Sequence, residues 1–374
     1  MIPSVKTTQL HRRPALDGVR GLAAFVVVLS HCLVVDERFA DTYVGNTAPG
    51  SAAMWVVSAS PLRLAWAGDA AVAVFFILSG YVLVRPFLHD HGGPWLHYYL
   101  RRLIRLYLPV WAALALTVLT IAAVPRTGVT GVWWVDEQAV PLSVASLLQN
   151  TTLIRPDSLL AQLWTLRWEV LFSLLLPAFV PAARWLARYG VGGFVPLIAA
   201  NALGWWSGVE AVMYLSVFGF GALLAALEAA RLRPVRRSNG FWMLVVVFAI
   251  CAMTARDYPV LVVGAAVSVF LALECPPVIR AFTVRPLIWL GQVSYSLYLV
   301  HLPVVLATAT LLGEDSWARI PLSVAMSVAC ASVFHRLVES PSQRLAARVR
   351  SARIGSVGSG ARLTATPASS SREA

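Results

Sequence analysis

Apolar stretches long enough to cross a lipid bilayer recur from residue 18 almost to the C-terminus, and that recurrence leaves the chain few folds to choose from. A helical crossing of the hydrocarbon core takes roughly 17–25 apolar residues. Inside that core every peptide N–H and C=O must find a partner within the protein, so such stretches become helices. Ten crossings are expected, at about 18–36, 64–84, 106–124, 163–183, 191–207, 211–229, 240–255, 258–275, 286–312 and 318–337. The expected fold class is all-α, a polytopic transmembrane bundle of about ten membrane-spanning helices.

Composition and charge agree with this reading. Only 13% of the 374 residues are charged and the mean hydropathy is +0.71, whereas a soluble domain carries about a quarter charged residues. Lys and Arg gather on the cytoplasmic side of short loops. With the N-terminus inside, 23 of the 30 basic residues fall inside, six outside and one, Arg167, within a span, while ten of the 18 acids fall in outer loops. Both termini are therefore expected in the cytoplasm and the protein in the inner (plasma) membrane. The net charge of +12 reflects topology and an anionic lipid partner, with no call for nucleic acid. The expected organisation is a cytoplasmic segment 1–17, a membrane domain 18–345, and a disordered basic tail 346–374 rich in Ser, Ala, Gly and Arg.

Cys32, Cys251, Cys275 and Cys330 lie in or at the ends of apolar spans without a Cys-x-x-Cys pair and read as packing residues. No metal-ligand spacing, nucleophile elbow or phosphate-binding glycine loop occurs. No metal is expected.

The chemistry lies in polar residues at membrane depth, which mark function by default. At 1.5 Å per helical residue, His31 lies roughly 20 Å from the inner face, His301 near the same level, and Glu169 roughly 9 Å below the outer face. Asp69 lies close by. Two histidines and a carboxylate thus share an expected layer, and an imidazole oriented by a carboxylate is a general-base pair; helix-helix hydrogen bonding is the plainer alternative. Arg20 sits at the inner end of the first span. Arg102 and Arg105, three residues apart, project from one helix side and can clamp a diphosphate, or serve as ordinary positive-inside charge. Ser79-Gly80 offers close helix approach or the wall of a pocket.

Five segments carry a resemblance. They are Leu16-Asp17-Gly18-Val19-Arg20-Gly21 leading to His31; Phe75-Phe76-Ile77-Leu78-Ser79-Gly80; Arg102 to Pro109; Leu163-Trp164-Thr165-Leu166-Arg167-Trp168-Glu169; and Ser294-Tyr295-Ser296-Leu297-Tyr298-Leu299-Val300-His301. In this order they resemble the acyltransferase 3 family of integral membrane O-acyltransferases. The resemblance implies an acyl-CoA donor, usually acetyl-CoA, as co-substrate with no permanently bound cofactor, and an acceptor hydroxyl on a carbohydrate, glycoconjugate or macrolide. It implies that Arg20 and His31 are essential and that Arg102 and Arg105 lie near the CoA phosphates. His31, Glu169 and His301 are then the catalytic candidates, and Asp17, Asp69, Ser79, Trp164 and Tyr298 candidates for a substrate or structural pocket. Arg167-Trp168 and Ser173 depart from the family pattern and bear on the acceptor side. The rival reading is a proton-coupled transporter or exporter that uses the same His/Glu layer as a relay.

Overall fold

The computed structural model describes residues 13–44, 51–89, 93–126, 128, 130–230, 237–313, 316 and 318–359, with side chains as far as 349. Among these residues the secondary structure is helical, with no strand. Each of the ten expected spans has a helix: α1 Pro14–Val34, α2 Gly68–Leu88, α3 Trp95–Ala123, α4 Leu163–Ala187, α5 Phe194–Ser207, α6 Glu210–Ala229, α7 Asn239–Met253, α8 Tyr258–Glu274, α9 Arg285–Leu312 and α10 Arg319–Phe334. A final helix, α11, runs Ser340–Ser359. It extends past the Ala346 boundary assigned to the tail. Residues 1–12 of the N-terminal segment and 360–374 of the tail lie outside the described residues, as do Glu314 and Asp315.

Seven helical segments are long and apolar enough to cross a membrane, the last of them running through α10 into α11. The three shorter helices are α5, α7 and α8, with 14, 15 and 17 residues. Fourteen residues reach only about 21 Å, less than the hydrocarbon thickness. At Cys275 the backbone turns extended before Pro276 and Pro277, and α8 breaks by 91° into the short helix Pro276–Phe282. Proline disfavours the helical conformation in the residue before it, which explains the break.

Small residues set the tightest contacts. α1 runs parallel to α9, and a Cβ placed on Gly21 would sit 2.5 Å from the Gly291 nitrogen, while one on Gly291 would sit 2.1 Å from the Asp17 carbonyl oxygen. α2 meets α6 in the same way, with Gly80 against Phe218 and Gly221 against Ile77. Backbones that close can be reached only where side chains are absent. Large apolar side chains such as Leu119, Leu174, Trp206 and Leu311 face outward, as a lipid-facing surface requires.

Two apolar cores result. One gathers α1, α2, α4, α6 and α8; the other gathers α1, α3, α4, α9 and α10. Between them the helices part around a polar space.

Candidate active site

That space is a cavity of about 590 Å³ lined by residues of α1, α2, α3, α4 and α9 and of the turn between α10 and α11. Arg20, Ser79, Arg102, Arg105, Glu169 and Tyr298 all line it. Its cationic wall is built on α1 and α3. Arg20 donates through Nε to Ser294 Oγ at 3.0 Å and through Nη2 to the Gly291 carbonyl at 2.6 Å, with Asp17 at 3.4 Å. The glycine contact between α1 and α9 brings that carbonyl within reach. Arg102 pairs with Glu169 and donates through Nε to Ser173 Oγ at 3.2 Å. Arg105 forms no ion pair within 4.0 Å among the described residues, and its side chain is open to the cavity. With Arg20, whose side chain is 40% exposed, it is a cavity guanidinium open to a ligand.

The expected His/Glu layer is not assembled. Glu169 accepts from Arg102 and from Ser79 Oγ at 3.2 Å, and among the described residues none of its hydrogen bonds goes to a histidine. The cause is where α4 starts. Leu159, Leu160 and Leu163 are fully buried, so the helix begins inside the bundle rather than at the membrane surface. Thr165 Oγ1 meets Tyr298 Oη at 2.6 Å. Glu169 is four residues further along α4, and His301 three residues the other way along α9, which separates them by about 10 Å in depth. Glu169 therefore belongs with the arginines.

The two histidines do meet. His31 Nδ1 and His301 Nε2 are 2.7 Å apart, and His301 Nδ1 lies 3.0 Å from the Leu297 carbonyl oxygen. A carbonyl only accepts, so His301 carries its proton on Nδ1 and offers the Nε2 lone pair. His31 must then donate through Nδ1. This assignment leaves His31 Nε2 unprotonated, with a lone pair free to take a proton. Trp134, from the short helix Trp133–Asp136, stacks on His31 with ring centres 5.3 Å apart.

Two of the remaining candidates, Asp69 and Trp164, lie outside the cavity. Asp69, in the first turn of α2, pairs with Arg63 at 2.9 Å. Trp164 is partly exposed and packs against Tyr214 and the edge of Phe76 without lining the cavity. Gly80 is the close-approach residue, and its neighbour Ser79 faces the cavity.

Sequence reasoning missed a cluster at the end of α10. His335 and Glu339 sit on a π-helical turn, His335 Nδ1 is 3.0 Å from Glu339 Oε2, and Ser296 donates to the same carboxylate through its backbone N–H at 3.2 Å. Both line the cavity with Gln343. A His and a Glu four apart at the close of an apolar span was the available signal. Trp134 offered none, because nothing in a loop tryptophan's sequence position tells which helix it covers.

A family model described as an acyltransferase domain matches residues 13–336. The chain is also similar to YrhL of Bacillus subtilis (strain 168), provisionally named a peptidoglycan O-acetyltransferase, at 21% identity over 384 residues. That alignment covers 89% of this chain and 55% of the relative, so the chain spans about half the length of the curated protein it matches. No solved structure matches.

Proposed function

We propose, from the premise that the chain belongs to this acyltransferase family, that it is a multi-pass membrane O-acyltransferase that moves an acyl group, most simply acetyl, from acyl-CoA to a hydroxyl of a carbohydrate, as the relative's name suggests for that protein. The observation that carries the reading is the position of His31. Its free Nε2 lies about 16 Å from Arg20 along α1, beyond the inner end of the bundle where the arginines cluster. A CoA thioester whose phosphates meet Arg105 and Arg20 reaches the histidine through its extended pantetheine arm.

The reaction then needs one base. His31 Nε2 takes the proton of the acceptor hydroxyl as its oxygen attacks the thioester carbonyl. The new C–O bond forms, the C–S bond breaks, and the CoA thiolate recovers the proton from the imidazolium. During the step the charge on His31 is shared through Nδ1–H with His301 Nε2, the position a carboxylate fills in many base pairs. The arginines supply donor recognition; Arg102, already engaged by Glu169, mainly fixes the cavity wall.

The test is acyl transfer in membranes supplied with labelled acetyl-CoA, followed by mass spectrometry of envelope glycans for one added acyl group. His31→Ala is expected to lose transfer by about 10²-fold or more. Full activity in that variant would remove His31 from the chemistry, and counterflow of substrate without any acyl donor would favour transport instead.

A further inference from the structure

Beyond His31, α1 and α9 diverge around a second cavity of about 270 Å³. Val35, one helical turn past His31, and Leu306, five residues past His301, are in its wall, and so is Val135, the neighbour of the stacked Trp134. Arg126, Arg319, Thr130 and Thr310 supply its polar surface. The histidine pair therefore stands between the arginine cavity and this one along the same two helices.

The two arginines here are unusual for their setting. The Arg319 side chain is only 5% exposed, and its Nε and Nη1 have no hydrogen-bond partner among the described residues. Among the described residues the carboxylate within 4.0 Å is Asp36, 3.9 Å from Nη2 and already gripped by Arg38 through two hydrogen bonds of 2.9 and 2.6 Å. Arg126 gives Nη1 to the carbonyls of Gln138 and Leu159, both at 3.0 Å, and burial without a carboxylate partner pushes its pKa down to about 10. Two largely buried guanidinium groups with spare donors around one opening are costly without an anion. They offer the planar fork geometry that carboxylates and phosphates accept.

We propose that this second cavity is the acceptor subsite and that it takes a hydroxyl-bearing sugar unit carrying an oxyanion, carboxylate or phosphate, held by Arg319 and Arg126. The inference rests on His31 being the base, since the subsite is placed by its distance of one turn from that residue. Its volume sits just below the range of about 300–1,000 Å³ usual for ligand pockets, so it holds one sugar ring rather than a longer oligosaccharide. Thr130 and Thr310 give their hydroxyl protons to Asp136 and the Leu306 carbonyl and keep lone pairs that can accept from a ring hydroxyl. An anionic handle bound beside Val35 turns a neighbouring hydroxyl back toward His31.

The experiment reads binding in the absence of acyl donor, so that it stands apart from the reaction. Purified full-length protein in a zwitterionic detergent is titrated calorimetrically with glucuronate, glucose 1-phosphate and uncharged glucose. At least one charged sugar is expected to bind about tenfold or more tightly than glucose, as charge-assisted hydrogen bonds allow. Arg319→Gln and Arg126→Gln should each erase most of that preference, and Arg319→Lys should keep part of it; having two sites of substitution covers the case in which one variant does not fold. Absence of a preference, or a preference that survives both Gln variants, overturns the subsite. A parallel titration in phosphatidylcholine nanodiscs with and without phosphatidylglycerol separates the sources of the anion: Arg319-dependent lipid binding with no response to either charged sugar assigns the site to a lipid headgroup and overturns the acceptor role. Loss of transfer in His31→Ala with retained sugar binding leaves the subsite standing, and the converse leaves the reaction standing.

Discussion

At the scale of single residues, the informative contact is the chain of hydrogen bonds from the Leu297 carbonyl through His301 to His31. If His301 acts by fixing the His31 tautomer, His301→Ala should lower kcat by about 10²-fold and leave KM for acyl-CoA nearly unchanged, because the arginines proposed to hold the donor are untouched. His301→Gln should recover part of the loss, since the amide oxygen can accept from His31 Nδ1–H in place of the imidazole. A residue needed only for packing would give neither the kcat-only effect nor the rescue. The sequence singled out His31 and Arg20 as candidates, because an ionisable side chain inside an apolar run is costly to keep, and the structure brings His31 to His301. Sequence alone could not give the partner of Glu169. Depth along a helix was reckoned from an assumed surface, and the burial of Leu159 to Leu163 moved that origin.

At the scale of elements, all ten helices were legible from apolar length, including the short α5. Which helices touch was not legible, since that depends on where the glycines of one face meet the backbone of another. The α1–α9 contact makes the point. Gly21→Ala puts a methyl group into the backbone at Gly291 and should cost about 1–3 kcal/mol as overpacking does, seen as a lower thermal midpoint in detergent. The same shift of α9 pulls the Gly291 carbonyl from Arg20. Gly240→Ala is the control, because the nearest atom to its added Cβ is Ser238 Oγ at 4.0 Å, and it should leave the midpoint unchanged.

At the scale of the whole molecule, the proposed orientation sets the arginine cavity toward the cytoplasm and the second cavity toward the outside, on the expectation that basic residues stay inside. On a background with Cys32, Cys251, Cys275 and Cys330 replaced, Leu83→Cys in the wall of the first cavity should react with a membrane-impermeant maleimide only from the inner side, and Ala309→Cys in the wall of the second only from the outer side. Labelling of both from one side would collapse the two openings into one route. Charge sorting is the whole basis of this expected polarity, whereas the second cavity stayed hidden from the sequence. Arg126 and Arg319 are nearly two hundred residues apart and look like ordinary loop arginines until the fold buries them together.

The stack of His301, His31 and Trp134 has one more consequence. On the proposed orientation it stands between an inward-opening and an outward-opening space and serves there as the membrane's insulation. The thinner that seal, the shorter the distance an acyl group has to cross, and the less there is to hold back ions driven by the membrane potential. On the proposed reading, substituting its rings with small side chains is expected to raise ion leakage as well as lower transfer, so the bulk of Trp134 would serve the membrane potential as much as the base.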